Sequence, residues 1–293
     1  MSEHIRTSFG EADDVRDEGL TTPDDVVRYD DILYGADQKW QTLDIYRPQK
    51  AEGRMIPVIV SVHGGGWVYG DKERYQYYCM GLAQRGFAVV NFTYRLAPEF
   101  KFPCPVEDTN MVFDWVLKHT RKYGLDEKNI FAVGDSAGAH TLGLYAAILS
   151  NPEYAGKYAF KTPEKLRLNA VILNCGMGSF PVDDNQDGMI STLLLDYLPE
   201  KGNAKEMYMI SLVNHITENY PPVFLATAAG DYLKQQALAM AEKFMQKKVP
   251  FMLGCYGSKD HELSHVFHLD IRSDDAQKCN DDECNFLRMH ICN

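Results

Sequence analysis

The sequence is poor in positive charge and has no long apolar stretch. Lysine and arginine number 30 against 41 aspartates and glutamates, and the formal net charge is -11. A chain this acidic is not expected to bind nucleic acid or an anionic membrane. Its apolar runs are short, like Pro57–Val60, and none approaches the roughly 18 residues that a membrane span needs. The first residues are polar and mixed in charge, unlike a signal peptide, so we expect a cytoplasmic location.

Cysteine spacing excludes two further kinds of site. The seven cysteines are odd in number and form no CxxC pair, so neither a disulfide framework nor a zinc site is expected. The acidic segment Cys279–Cys284 could suggest a metal site, but we interpret it as a solvated helix face. We therefore predict reduced, mostly buried thiols and no metal.

Predicted strands and helices alternate along the 293 residues, with no internal repeat and no low-complexity linker. This alternation predicts a single α/β domain with a mostly parallel, eight-stranded sheet and helices on both faces. The predicted strands are Val26–Tyr34, Gln41–Tyr46, Met55–Val62, Ala88–Tyr94, Asn129–Val133, Asn169–Asn174, Val223–Thr227 and Phe251–Cys255. Helices are predicted at Arg74–Arg85, Pro105–Tyr123, Ala137–Leu149, Gln235–Lys247 and Asp274–Met289.

The segment between the sixth and seventh predicted strands is too long for a simple connection. Residues 177–220 contain helix formers and apolar side chains, and unstructured loops of this length are uncommon in compact domains. We therefore predict a small helical cap inserted at this point. The polar residues 1–25 are a second candidate to fold over the site as part of a lid.

A candidate nucleophile lies between a predicted strand and a predicted helix. Gly134–Gly138 has the sequence Gly-Asp-Ser-Ala-Gly and fits the pattern GxSxG. The strand–turn–helix setting is that of a nucleophile elbow, in which glycines keep side chains away from a strained serine. The hydroxyl then projects at a helix N-terminus, where the peptide dipoles favour an anion. This setting predicts Ser136 as the nucleophile.

A glycine-rich segment directly follows the third predicted strand. His63–Trp67 has the sequence His-Gly-Gly-Gly-Trp, and its glycines allow backbone N–H groups to turn toward one point. Together with the N–H of Ala137, these donors would bind the oxyanion of a tetrahedral intermediate. Without the serine motif, the alternative is a flexible glycine turn. His63 itself is expected to be a structural hydrogen-bonding residue.

The acid of such a triad follows the serine in the chain and lies just beyond a late strand. Asp231 follows the predicted strand Val223–Thr227 and is the preferred candidate. Its alternative role is to cap the helix that begins near Gln235. Asp260 and Glu262 are rivals, but they lie too near the candidate bases in sequence to be placed by the same strand end.

Three histidines follow the last predicted strand, namely His261, His265 and His268. The base must reach Ser136 with one ring nitrogen while the other faces the acid, and spacing alone does not decide among the three. The pattern favours His265, because the apolar pair Val266–Phe267 follows it and could anchor it. His268 is the reserve.

These motifs together resemble those of the hormone-sensitive-lipase family of esterases. Besides the two glycine-rich segments, Tyr94–Glu99 has the family sequence Tyr-Arg-Leu-Ala-Pro-Glu. Asp231 begins a D-x-L acid motif, and His265 begins an H-x-F base motif. The resemblance implies the α/β-hydrolase fold, a Ser-Asp-His triad and ester hydrolysis without a cofactor. It also implies that Gly65 and Gly66 provide oxyanion donors together with Ala137.

One departure from that family points to smaller enzymes. Gln41–Pro48 resembles the opening of small bacterial acetylesterases, feruloyl-esterase-like enzymes and kynurenine-formamidase-like hydrolases. The cap should then be small, so we expect hydrolysis of short-chain or small aromatic acyl esters through an acyl-enzyme, not of long-chain lipids. The side chains predicted to line the substrate pocket are Trp67, Tyr69, Phe180, Leu194 and Tyr232.

Two other functions stay open at the level of sequence. An amidase such as an arylformamidase, or a peptidase, would use the same triad. A catalytically dead binding protein of this fold would typically lack a working base, and the presence of His265 argues against it. As partners we expect a small ester substrate, with no nucleic acid and no membrane, and a monomer or homodimer.

Overall fold

The computed structural model describes residues 2–180 and 188–292 of the chain. Its strands are β1 Val26–Leu33, β2 Thr42–Pro48, β3 Ile56–Val62, β4 Ala88–Phe92, β5 Leu125–Asp135, β6 Ala170–Asn174, β7 Val223–Ala228 and β8 Phe251–Tyr256. Its helices are α1 Ser2–Asp17, α2 Lys72–Gln84, α3 Cys104–Tyr123, α4 Ala137–Ser150, α5 Pro152–Ala155, α6 Met189–Tyr197, α7 Ala204–Ile210, α8 Lys234–Gln246 and α9 Asp274–Arg288. Short 3-10 helices lie at Gln49–Ala51, Leu212–Asn214 and Phe267–Leu269.

The strands form one sheet in the order β1-β2-β4-β3-β5-β6-β7-β8. β2 pairs antiparallel with both β1 and β4, and the pairs from β4–β3 to β7–β8 are parallel. The predicted mostly parallel sheet of eight strands is confirmed. Parallel strands end at the same edge of the sheet, so the segments that follow β3, β5, β7 and β8 are brought together there.

Both faces of the sheet are covered, which explains the apolar runs of the central strands. Val58 and Val60 pack in one core cluster with residues of α3, α4 and α8. Ile59, which points the other way, packs in a second cluster with residues of α2 and α9. Successive side chains of a strand face opposite sides, so a strand buried on both faces needs a continuous apolar run.

Most predicted boundaries lie within about three residues of the observed ones, but β5 is longer than predicted. The prediction began at Asn129, whereas the strand begins at Leu125. Its first residues pair with the start of β3, and an irregularity in the register follows Pro57. The charged residues between Leu125 and Asn129 interrupt the apolar pattern, which is why the sequence did not indicate this part of the strand.

A third apolar cluster lies over the carboxyl edge of the sheet. Trp67, which follows β3, packs there with Leu193 and Tyr197 of α6, Ile210 of α7 and Ile5 of α1. The helices α6 and α7 lie within residues 177–220, where a cap was predicted, and residues 181–187 of that prediction lie outside the described residues. The helix α1 was not predicted, because Ile5 is its one buried large apolar residue.

No helix within residues 2–180 and 188–292 combines the length and the hydropathy needed to cross a membrane.

Candidate active site

Ser136 lies at the sharp turn between β5 and α4. Its φ of 50° and ψ of -116° are strained for a residue with a side chain, and its N–H donates to the carbonyl of Asn174 at 2.9 Å. The turn brings Gly138 against the end of β3, where an added Cβ would lie 2.0 Å from the carbonyl oxygen of Val62. The second glycine of the motif is therefore required by close backbone packing.

Ser136, His265 and Asp231 form a continuous hydrogen-bonded relay. The Nε2 atom of His265 lies 2.9 Å from the Ser136 hydroxyl, and Nδ1 lies 2.7 Å from a carboxylate oxygen of Asp231. A carboxylate only accepts hydrogen bonds, so Nδ1 carries the proton and Nε2 is free to accept from the serine. This arrangement can deprotonate the hydroxyl as it attacks a carbonyl group.

Asp231 follows β7 and is held by two further donors. The hydroxyl of Thr227 and the N–H of Leu233 each donate to its carboxylate at 2.9 Å. Burial opposes ionisation, but the His265 hydrogen bond and these donors hold the pKa of Asp231 below its ordinary value. Its bond to Leu233 orders the turn before α8, but Leu233 is at the N-cap of that helix, so Asp231 does not have the alternative role of capping it.

The alternative acids and bases lie elsewhere. His261 is exposed and pairs with Asp275 at 2.7 Å. His268 is buried with its ring edge-on to Tyr78, and burial lowers its pKa to about 3. Asp260 and Glu262 are exposed. Within the described residues, the structure brings His265 and Asp231 to Ser136 and leaves the rivals away from it.

The glycine-rich loop after β3 faces the same point. Gly65 has a φ of 106°, and an added Cβ would lie 2.1 Å from the carbonyl oxygen of Tyr69. Gly65, Gly66 and Ala137 all line the cavity that contains Ser136. Their N–H groups are therefore candidates to bind an oxyanion there.

His63, the first residue of the loop, has a structural environment. It is fully buried, its Nδ1 donates to the carbonyl of Gly64 at 2.8 Å, and its ring stacks on Tyr94 at 3.9 Å. Burial lowers its pKa to about 4. These contacts are those expected of a residue that fixes the loop.

The catalytic cavity has a volume of about 370 Å³. Three of the five side chains proposed from the sequence as pocket residues line it, namely Trp67, Tyr69 and Tyr232. Phe180 and Leu194, the other two predicted lining residues, do not line it and instead pack in the apolar cluster behind its wall. A larger open depression of about 680 Å³ lies on the far side of Tyr69 and contains none of the relay residues.

Met189, Ile190 and Leu193 form the wall that α6 contributes to the cavity, and Leu194 does not line it. Leu194 points about 100° away from Leu193 around the helix axis and packs in the apolar cluster instead. The apolar composition of the segment indicated the helix, but its rotation depends on packing against the rest of the fold.

The N-terminal helix α1 forms a wall of the cavity. The sequence analysis considered residues 1–25 as part of a lid but named no lining residue among them. Phe9, Asp13 and Arg16 of α1 line the cavity. Asp13 accepts from the hydroxyl of Tyr69 at 2.8 Å and from Arg16 at 2.7 Å, and burial raises the pKa of Asp13. Phe9, Asp13 and Arg16 are spaced by four and three residues, and this spacing could have indicated that they share one face of a helix.

A buried polar link joins the loop after β3 to the serine turn. The hydroxyl of Tyr75 donates to Asp135 at 2.8 Å and accepts from the N–H of Gly64 at 2.8 Å. Burial raises the pKa of Asp135 to about 7. Tyr75 was not a candidate from the sequence, because its role depends on where α2 packs.

Cys175 brings a thiol close to the relay. Potential ligand atoms of Cys175, Asp231 and His265 lie within 4.8 Å of one another, and burial raises the pKa of the thiol. The Asp231 and His265 atoms are already joined by a hydrogen bond, and His265 is hydrogen-bonded to Ser136. The absence of a metal and of a cofactor stays a prediction.

Comparison with known proteins identifies the family. The family model BD-FAE matches residues 43–244, which is more than half of the chain. The chain belongs to the BD-FAE family. The match includes the loop after β3, the serine turn and Asp231, whereas His265 lies beyond it.

Curated relatives of this BD-FAE member are ester hydrolases. It is 27% identical over 231 residues to versiconal hemiacetal acetate esterase of Dothistroma septosporum, covering 74% of the chain and 70% of the relative. It is 29% identical over 224 residues to the probable carboxylic ester hydrolase LipM of Mycobacterium tuberculosis, covering 74% of the chain and 51% of LipM. The chain thus spans about half the length of LipM.

A solved structure shares the fold over nearly the whole chain. Inhibited esterase B from Lactobacillus rhamnosis superimposes with a TM-score of 0.88 at 23% identity, covering 98% of this chain and 95% of that one. The predictions of a hormone-sensitive-lipase-like family, an α/β-hydrolase fold and a carboxylic ester hydrolase are confirmed.

Proposed function

We propose that this BD-FAE member hydrolyses small carboxylic esters with Ser136 as nucleophile, His265 as general base and Asp231 as the acid that orients the base. The observation that carries the proposal is the relay from Asp231 through His265 to Ser136, with links of 2.7 and 2.9 Å. These distances are within the range in which a base takes a proton from a nucleophile.

The reaction proceeds through an acyl-enzyme. The Ser136 oxygen bonds to the ester carbonyl carbon as its proton passes to His265, and the carbonyl oxygen becomes an oxyanion facing Gly65, Gly66 and Ala137. The intermediate collapses, the bond to the alcohol oxygen breaks, and His265 gives its proton to that oxygen. Water then attacks the acyl-enzyme, again through His265, and releases the acid and Ser136.

The dimensions of the cavity favour a short or small aromatic acyl group. About 370 Å³ is enclosed between α1 and α6, and large acyl chains would have to displace Phe9 or Leu193. Support also comes from relatives named for acetate esters, including an ethyl acetate hydrolase of Pseudomonas putida, 25% identical over 240 residues, covering 76% of this chain and 71% of that protein. We propose that α1 and the cap in residues 177–220 together form the lid that limits the size of the acyl group.

The proposal also covers the cellular location and the oligomeric state of the enzyme. We propose a cytoplasmic monomer or homodimer, consistent with seven cysteines that are all unpaired. Light scattering of the purified protein would test the oligomeric state. A disulfide formed by the protein in its native compartment would contradict the location.

A panel of p-nitrophenyl esters tests the substrate class. We expect kcat/KM for acetyl and butyryl esters to exceed that for decanoyl esters by at least about tenfold, since each apolar group that cannot be accommodated costs binding in the transition state. A feruloyl ester tests the aromatic alternative. Preference for the decanoyl ester would contradict the proposal, and faster turnover of a matched anilide than of its ester would favour an amidase.

A further inference from the structure

Trp67 lies next to Gly66 and has a strained backbone. Its φ of 64° is in the left-handed region, where a bulky side chain is unfavourable and needs support from its surroundings. Its carbonyl accepts from the N–H of Ala97 at 2.9 Å. Its indole ring is buried and stacks on Tyr197 of α6 at 4.7 Å.

The indole N–H of Trp67 donates to His140, one turn beyond Ser136 on α4. The distance from the indole nitrogen to Nδ1 of His140 is 3.2 Å, and Nε2 of His140 lies 2.8 Å from the carbonyl oxygen of Ile210 at the end of α7. A carbonyl only accepts, so Nε2 carries the proton and Nδ1 accepts from Trp67. Burial lowers the pKa of His140 to about 4, so this neutral tautomer persists at neutral pH.

We propose that His140 is a positioning residue that holds the oxyanion loop through Trp67, with its tautomer set by the carbonyl of Ile210. The proposal rests on the proposed function of Gly65, Gly66 and Ala137 as oxyanion donors. His140 is fully buried and absent from the cavity wall, so it acts through Trp67 and not on the substrate.

The consequence for catalysis follows from the position of Trp67 directly after Gly66. When the indole loses its acceptor, the strained φ of Trp67 loses one of its supports, and the peptide groups before it rotate. Oxyanion donors act on the transition state far more than on the bound ester. Loss of the His140 contact should therefore lower kcat and leave KM almost unchanged.

Three substitutions separate the two hydrogen bonds of His140. His140→Asn places an amide oxygen near the former Nδ1 and keeps an acceptor for Trp67, but it cannot reach Ile210. His140→Gln keeps a donor for Ile210 and withdraws the acceptor from Trp67. His140→Leu removes both. Tyr145→Phe is the matched control, because Tyr145 is a buried residue of the same helix whose hydroxyl donates to Asn110 at 2.9 Å.

The measurements are kcat and KM for p-nitrophenyl butyrate, and the inhibition constant of a trifluoromethyl ketone, which forms an oxyanion with the serine. Removing one oxyanion donor outright typically costs about 100-fold to 1,000-fold. For this indirect effect we expect His140→Gln and His140→Leu to lose about tenfold in kcat, with ketone binding weakened in parallel and KM within about threefold. For His140→Asn we expect kcat, KM and the inhibition constant of the ketone each to stay within about threefold of wild type.

A double-mutant cycle with Trp67→Phe, which lacks the indole N–H, completes the test. In that background we expect His140→Asn and His140→Gln to have the same kcat. The proposal is overturned if all His140 variants lower the melting temperature as Tyr145→Phe does but retain wild-type kcat and ketone affinity. It is also overturned if Asn and Gln are equally impaired with Trp67 intact. If the proposed function itself failed, wild type would neither turn over the ester nor bind the ketone.

Discussion

Asp231 determines which ring nitrogen of His265 carries the proton. Its carboxylate receives Nδ1–H of His265 and thereby leaves Nε2 free for Ser136. The D-x-L resemblance indicated this aspartate, but only the structure shows the Thr227 hydroxyl and the Leu233 N–H that hold it.

Replacing Asp231 by asparagine tests this tautomer argument. The amide fits the same space but can present its N–H₂ to the imidazole, which favours the tautomer with the proton on Nε2. We expect kcat for p-nitrophenyl butyrate to fall by about 10⁴ at neutral pH, with folding retained. A kcat within tenfold of wild type would mean that another group orients His265.

Glu283 of α9 is a buried carboxyl group outside the relay, and the effect of its ionisation on stability can be tested. It is fully buried, as are Cys279, Asn280 and Cys284, so the interpretation of Cys279–Cys284 as a solvated helix face is wrong at these positions. The Tyr78 hydroxyl and the Asn174 side-chain amide each donate to the Glu283 carboxyl group at 2.7 Å. Burial nevertheless raises its pKa to about 7. A carboxyl group whose pKa is raised by folding ionises first in the unfolded chain, so its contribution to stability is lost as pH rises through that range.

We therefore expect Glu283→Gln to change how stability depends on pH. Relative to the variant, which cannot ionise at this position, wild type should lose stability between about pH 5 and about pH 7. Melting temperatures of both proteins across this range are the measurement. Asp135, whose pKa is also raised to about 7, contributes a slope of the same sign in both proteins. The buried histidines His63, His140 and His268, whose pKa values are lowered, contribute a slope of opposite sign in both, so the difference between the two curves is the quantity compared. Parallel curves for the two proteins would contradict the raised pKa of Glu283.

At the scale of elements, α1 forms one wall of the cavity, and we propose that it limits the size of the acyl group. Phe9 lines the cavity and packs edge-on against Tyr69, with ring centroids 5.8 Å apart. Arg6 anchors the helix through a two-pronged pair with Glu99 at 2.8 and 2.6 Å. The sequence indicated a polar segment that could fold over the site, but not which of its side chains line the cavity.

Phe9→Ala should widen the cavity and shift preference toward longer acyl chains. We expect the ratio of kcat/KM for octanoyl over acetyl esters to rise by about tenfold, because one or two more methylene groups become accommodated. Val15→Ala on the same helix is the control, since Val15 is 72% exposed. An unchanged ratio in Phe9→Ala would show that α1 does not limit the acyl group.

The junction of β3, β5 and α4 depends on Gly138. Substituting alanine places a Cβ 2.0 Å from the Val62 carbonyl oxygen, so the helix must shift. We expect a loss of at least about 2 kcal/mol in unfolding free energy and loss of turnover. In Gly156→Ala the new Cβ meets carbonyl oxygens no closer than 3.5 Å, so stability should change by less than about 0.5 kcal/mol. Equal stability of the two variants in urea would contradict the packing argument.

At the scale of the whole molecule, local sequence patterns predicted the strands and helices, whereas long-range packing determines which side chains line the cavity. The order of strands and helices followed from apolar periodicity, and the serine turn from a glycine motif that its geometry requires. Three of the five predicted wall residues line the cavity, namely Trp67, Tyr69 and Tyr232. The choice of Leu193 over Leu194 could not be predicted, because it depends on the rotation of α6, which packing sets. The link from Trp67 through His140 to Ile210 joins residues far apart in sequence and has no local signature.

The central claim is that Ser136 is the nucleophile of an esterase, and covalent labelling tests it most directly. A fluorophosphonate should add once per chain, peptide mass spectrometry should place the adduct on Ser136, and turnover of p-nitrophenyl butyrate should fall in step with labelling. Folded Ser136→Ala protein should neither label nor turn over the ester. Labelling at another residue, or undiminished hydrolysis by Ser136→Ala, would contradict the account.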